Sequence, residues 1–246
     1  MNYTHGTLIA KLSGSKKKLY VSESGDDAID DIILTDDEKF QIVPDPEKAR
    51  NILYICGASG SGKSYFTAQY CREYSKINKK NPIYLFSSIS EDESVDSIKN
   101  LRRIDIKNPE FMEEDIELDD LANSLCIFDD CDCITNMSLR KKIQGIADMC
   151  LETGRHKKIS IIFTNHTACA GNTTKKILNE CSSITIFLRS LGGKALKYLL
   201  ESYLSLDKKQ IAKLKTMKKY GRALTIMKTY PQVVITEKFA YVLNEN

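Results

Sequence analysis

The residues best spaced to do chemistry are Gly57, Gly60, Gly62, Lys63 and Ser64, within the run Gly57, Ala58, Ser59, Gly60, Ser61, Gly62, Lys63, Ser64, Tyr65. Glycines at these spacings let the backbone turn tightly and aim successive N–H groups inward, which is how a peptide cradles a polyphosphate. Lys63 has the reach to meet the β and γ phosphates of a nucleotide such as ATP, and the Ser64 hydroxyl can complete the shell of a magnesium ion. Residues 57–65 are therefore the candidate nucleotide-binding segment. An apolar run at 52–56 precedes them, and Phe66, Tyr70 and Tyr74 follow at helical spacing. A buried strand thus enters the turn, and a helix leaves it with its positive end at the phosphates.

A second group lies downstream. The apolar run 125–128 ends in Asp129 and Asp130. Beside a phosphate loop, a strand-end carboxylate holds magnesium, usually through water, and a neighbouring acid polarises the attacking water. Asp129 is placed in the first role and Asp130 in the second. Cys131 and Cys133 flank Asp132 next to them, but the eight cysteines include no C-x-x-C and no paired histidines, so they are read as reduced, mostly buried thiols.

These groups need elements to position them. At 246 residues with 42% apolar composition, the chain can bury a sizeable core. Residues 1–45 alternate short β-like runs (7–12, 19–22, 32–34, 40–43) with acidic and Gly/Ser turns, and Pro44 and Pro46 mark a boundary before the phosphate-loop strand. The expected domains are therefore a β-rich flank at 1–45 and the phosphate-loop domain at 46–246. Residues 83–86 read as the next strand, and the acid-rich stretch 91–120 as a solvated connection with one short helix near 95–101. Ser138 can cap a helix whose apolar stripe is Ile143, Ile146, Ala147, Cys150 and Leu151, and Gly154 ends it. Strands follow at 159–163 and 183–188, helices across 194–219, and three β runs at 223–228, 233–236 and 240–243. Strands alternating with helices require parallel pairing with right-handed crossovers. The expected fold is α/β: a three-layer, mostly parallel sheet with the nucleotide at the strands' carboxyl ends.

With 36 basic and 33 acidic residues, net charge gives no argument for nucleic-acid binding. Any such surface must be local. One is visible: Asp207 and Gln210 form a capping box, and Lys208, Lys209, Lys213, Lys215, Lys218 and Lys219 crowd the helix it starts. No apolar run approaches 18 residues and no signal peptide opens the chain, so a soluble intracellular protein without a transmembrane segment is expected.

Several segments together resemble one family. ILYICGASGSGKSYFT, CIFDDCD, ETGRHKKISIIFTNH, KKILNECSSITIF and YGRALTIMKTYPQVVI are similar to the poxvirus-type genome-packaging ATPases of large DNA viruses, within the FtsK/HerA superfamily of ring DNA pumps. The resemblance spans roughly residues 40 to 243 and implies a RecA/FtsK-like P-loop NTPase fold. It implies ATP and Mg2+ as cofactors, double-stranded DNA as the cargo, and a homo-oligomeric ring, pentamer or hexamer. Capsid or virion membrane proteins would be further partners, and the site of action the host cytoplasm or the virion. It also makes Arg155 an arginine finger reaching the neighbouring subunit's nucleotide and Asn165 the γ-phosphate sensor. Asn165 stands where many members have glutamine, and Asp130 where many have glutamate. On the residues alone, a small-molecule kinase or a non-hydrolysing nucleotide switch remains an alternative; the kinase would need an arginine-rich lid, and the switch does not need Asp130.

Overall fold

Apolar side chains along the middle strands alternate between two destinations. Ile52, Tyr54 and Cys56 join one buried cluster, while Leu53 and Ile55 join another. Cys126 and Phe128 part from Leu125 and Ile127 in the same way, as do Ile161 and Phe163 from Ile162. A period of two with both faces buried demands a sheet covered on both sides. The computed structural model describes residues 1–23, 29–35, 37–189 and 193–243, and among them this sheet has ten strands.

The strands are β1 (Thr7–Leu12), β2 (Lys18–Val21), β3 (Asp31–Ile33), β4 (Phe40–Ile42), β5 (Ile52–Cys56), β6 (Ile83–Ser87), β7 (Leu101–Asp105), β8 (Leu125–Asp129), β9 (Ser160–Asn165), β10 (Ser183–Ile186), β11 (Leu224–Met227), β12 (Gln232–Ile235) and β13 (Phe239–Leu243). The helices are α1 (Lys63–Ile77), α2 (Glu93–Asp96), α3 (Glu110–Glu113), α4 (Met137–Thr153), α5 (Asn172–Glu180), α6 (Gly193–Tyr198) and α7 (Lys208–Thr216). The main sheet runs β3-β13-β12-β11-β10-β5-β9-β8-β6-β7. From β10 to β7 every pairing is parallel, and β11, β12, β13 and β3 extend it antiparallel. The order places β9 between the loop strand β5 and the acidic strand β8.

Helix α1 covers one face through Ala68, Tyr70, Cys71 and Tyr74. The three-stranded sheet β2-β1-β4 packs on that same face, since Ile9, Leu12, Leu19, Phe40 and Ile42 share a cluster with Leu53 and Ile55. Helices α4, α5 and α7 cover the other face, where Phe86, Phe128 and Phe163 stack across three strands at centroid distances of 5.0 and 5.1 Å. The predicted stripe on α4 is buried as a unit.

Three local expectations are corrected. The short helix expected near 95–101 lies earlier, at Glu93–Asp96, and the stretch read as a solvated connection with one helix contains the edge strand β7 and a second short helix, α3. An edge strand with half-exposed faces carries no strong alternation, so periodicity misses it. Helix α4 is capped not by Ser138 but by Asn136, whose side chain accepts from the Leu139 N–H. Both residue types cap well, and the chain starts the helix two residues earlier. The run at 32–34 does not stay with the N-terminal sheet: β3 pairs with β13 in the main sheet. No helix among the described residues is long and apolar enough to cross a membrane.

Candidate functional site

The loop between β5 and α1 is anchored at both sides of β5. The Gly57 N–H donates to the Asn165 carbonyl at 3.1 Å, and the Phe187 N–H to the Cys56 carbonyl at 3.1 Å. Gly57 is required by close approach: a Cβ there would lie 2.6 Å from the Ser61 hydroxyl and 2.9 Å from the Phe187 Cβ. Gly62, at φ 113, holds a left-handed conformation that side chains resist. No side chain caps α1 and no acid sits in its first turn, so the positive end of a 15-residue helix is left facing the loop. That is the preparation an anion needs.

Lys63 is buried, and its ammonium donates to the Gly57 carbonyl at 3.0 Å and faces the Asp130 carboxylate at 3.3 Å. Ser64 follows, half-buried, on the first turn of α1, while Ala58 is half-buried and Ser59 and Gly60 are exposed at the loop tip. Tyr65 points outward at 63% exposure, its hydroxyl accepting from the Gln69 amide at 3.0 Å.

The acids are ordered by strand register. Ser87, Asp129 and Thr164 form one cross-strand row on the face that α1 covers. Asp129 accepts from the Thr164 hydroxyl at 2.6 Å and from the Ser87 hydroxyl at 3.0 Å. Burial pushes its carboxyl above the ordinary range, against the stabilising hydroxyls. A cation brought near would favour the ionised form. Asp129 and Ser64 are hard oxygen donors, the kind magnesium takes when phosphates and water complete its shell. Among the described residues no three His, Cys, Asp or Glu side chains gather as a metal cluster.

Asp130 follows in a left-handed conformation, φ 46 and ψ 34, which aspartate tolerates. This turn directs its carboxylate between Lys63 and His166, whose Nε2 lies 2.7 Å away. The Asp130 N–H donates to both oxygens of Thr164, each at 3.0 Å. Asp132 in turn accepts from the His166 N–H at 3.1 Å. Two acids, a buried lysine and a histidine thus meet at the carboxyl ends of β5, β9 and β8.

Thr164, Ser87 and His166 join this network without having been singled out as site residues. A polar residue ending an apolar strand was the available signal, and it was weak. Asn165 is buried, its side chain against the Tyr54 hydroxyl on the face away from α1, and its link to the loop is through its carbonyl. Arg155 lies exposed in the turn before β9, so the six residues of that strand, about 20 Å at 3.3 Å per residue, separate it from its own phosphate loop. Arg222, from the C-terminal part of the chain, donates to the Ser61 carbonyl at 3.3 Å. All eight cysteines are free; burial pushes the Cys131 thiol well up, beside three aspartates.

No known protein-family profile matches the chain. Among solved structures it is similar to the genome packaging NTPase B204 from Sulfolobus turreted icosahedral virus 2 in complex with ATP-γS, at 16% identity and a TM-score of 0.51, over 77% of this chain and 97% of that one. The cytoplasmic domain of the Type VII secretion ATPase EccC of Thermomonospora curvata is similar at 12% identity and a TM-score of 0.51, over 87% of this chain and 29% of that one. These likenesses establish the architecture, an α/β P-loop NTPase fold with a large, mostly parallel central sheet. In sequence the chain is 36% identical over 239 residues to Uncharacterized protein V3 of Sputnik virophage, covering 95% of this chain and 94% of that protein. At that identity over nearly the whole of both proteins, the chain belongs to the family of the Sputnik virophage protein V3.

Proposed function

We propose that the protein is an ATP-hydrolysing motor that moves double-stranded DNA, packaging a viral genome as a homo-oligomeric ring. The observation that carries this reading is the meeting of Lys63 with Asp130 at 3.3 Å, directly after Asp129 at the end of β8. Ground-state phosphate binding needs the loop and Lys63 alone; a carboxylate held against the same lysine adds a group able to take a proton from water. Similarity in fold to a viral genome packaging NTPase and membership in a virophage family support the viral assignment.

Each residue then has a role. Residues 57–65 wrap the phosphates, Lys63 neutralises the terminal ones, Ser64 and Asp129 hold magnesium, and Asp130 orients and deprotonates the attacking water. Magnesium, when bound, supplies charge neutralisation at the β and γ phosphate oxygens. His166 holds Asp130 in place, and Asn165 is assigned as the γ-phosphate sensor, a role for which its side-chain amide has to leave the Tyr54 hydroxyl. Arg155, before the amino end of β9 and so at the far end of that strand from its own loop, is assigned to the next subunit's site. The full chain should hydrolyse ATP, and linear double-stranded DNA should raise the rate severalfold. Hydrolysis that DNA leaves unchanged would remove the motor reading, and phosphate transfer to a small acceptor in place of water would install a kinase.

Helix α7 is the proposed DNA-facing surface. It packs through Ile211 and Leu214 onto the face opposite α1 and leaves its lysines exposed. Lys213 is partly committed, lying 3.9 Å from the Tyr241 ring centroid and 3.9 Å from Asp31. Replacing Lys209, Lys213 and Lys218 with Glu should weaken DNA binding and lower the slope of log K against log salt by about 3, at roughly 0.9 for each phosphate no longer neutralised. An unchanged slope returns the helix to ordinary solvated surface.

A further inference from the structure

A polyphosphate seated in the loop must carry the rest of its molecule out through a neighbouring concavity. A cleft of about 410 Å³ opens beside Ser61, Gly62 and Tyr65, within the size range of small-molecule sites. Its floor is Phe187, the residue that packs beneath Gly57 and Gly62. Two segments far apart in sequence supply the walls: residues 39–42 of the N-terminal flank, and residues 222–223 and 235–237 near the C-terminus.

These walls are fastened to each other and to the loop. The Phe40 N–H donates to the Glu237 carbonyl at 2.8 Å, and Lys39 pairs with the Glu237 carboxylate at 3.4 Å. The Arg222 N–H donates to the same carboxylate at 3.3 Å, and the Arg222 guanidinium reaches the Ser61 carbonyl. Gln41 leans on α1, its amide donating to the Gln69 carbonyl at 3.5 Å. An apolar floor under a rim of amide, carboxylate and guanidinium matches a flat aromatic base carrying donors and acceptors on its edge. A fully charged occupant would have to desolvate against Phe187, which is costly.

We propose that this cleft takes the nucleoside of the bound nucleotide, and that the N-terminal β-sheet is its selecting wall, with Gln41 reading the base edge and Arg222 standing at the junction with the phosphates. The inference rests on the nucleotide-site reading above. It gives the N-terminal flank, which carries none of the phosphate-site residues, a part in substrate choice. The Gln41 amide offers both a donor and an acceptor, so it can distinguish bases whose edges reverse that pattern.

The test separates nucleoside from phosphate. The full chain is titrated by calorimetry with ATP and with inorganic tripolyphosphate, each with magnesium. The wild type should bind both, ATP more tightly. Ala223→Leu, which puts added carbon into the cleft, and Gln41→Ala should each weaken ATP binding tenfold or more and leave tripolyphosphate within twofold. Lys63→Ala should lose both ligands. Equal loss of ATP and tripolyphosphate in the cleft variants, or no loss of either, overturns the assignment. A wild type that binds neither ligand removes the nucleotide site itself, a different result from a selective one. Gln41 is half-exposed on the flank, so Gln41→Ala carries the test even if the bulkier variant does not fold.

Discussion

Lys63→Ala is expected to abolish nucleotide binding, and Asp130→Asn to spare binding while removing turnover. The two defects differ because the two side chains act at different stages. Lys63 is the buried cation of the loop, held by the Gly57 carbonyl and Asp130, and its charge offsets that of the phosphates before any bond breaks. Removing it also leaves the Asp130 carboxylate without its lysine partner. Asp130→Asn keeps the size and planar shape of the side chain, but it exchanges one acceptor oxygen for an amide donor and cannot accept a proton. General-base catalysis contributes about 10²–10⁴ in rate, so turnover should fall by that factor while the affinity measured by nucleotide titration stays within a few-fold. Should Asp130→Asn retain normal ATPase activity, the general-base assignment is wrong, and Asp129 or Asp132 is the next residue to try. Of these, Asp129 is already committed to the Thr164 and Ser87 hydroxyls.

Arg155→Ala is expected to leave nucleotide affinity nearly intact and to reduce turnover by about 10³–10⁵, the worth of an arginine finger. The guanidinium would meet charge that develops only during transfer, so its loss falls on the rate and not on ground-state binding. Position sharpens the claim. Arg155 sits at the amino end of β9, whereas the phosphate loop adjoins the carboxyl end of that strand. A finger at Arg155 therefore has to act on another subunit. Arg222 has the opposite placement, against Ser61 of its own loop.

The architecture was legible because two signals in the sequence agree: the short, wholly apolar runs 52–56 and 125–128, and the helical stripe on α4. Burial on both faces then forces a covered parallel sheet. The placement of the loop between strand and helix was legible too, since the loop, Lys63 and Ser64 are contiguous. Pairings made across strands were not. Thr164 and Asn165 are adjacent, so the pleat sends them to opposite faces, and nothing in the sequence says which of them meets Asp129. The link from His166 to Asp130 depends on the left-handed turn at Asp130, which follows from no neighbouring residue type. The hydrogen bond from Arg222 to Ser61 spans 161 positions and requires the antiparallel extension of the sheet. Likewise the flank could be read as β-rich, but its placement over the same face as α1, closing a cleft beside the loop, is a tertiary fact.

A catalytic site completed across a subunit interface can be rebuilt by mixing two variants that are each inactive. Arg155→Ala subunits retain an intact phosphate loop, and Lys63→Ala subunits retain an intact arginine. Combined in one assembly, some interfaces pair the good loop of one subunit with the good arginine of its neighbour, so ATPase activity should partly return above that of either variant alone. Rescue cannot occur if Arg155 serves its own chain, because neither variant then owns a complete site. A mixture as inactive as its parents, in assemblies shown to contain both chains, would rule out Arg155 acting on a neighbour and pass the role to Arg222 or to Arg189, exposed just after β10.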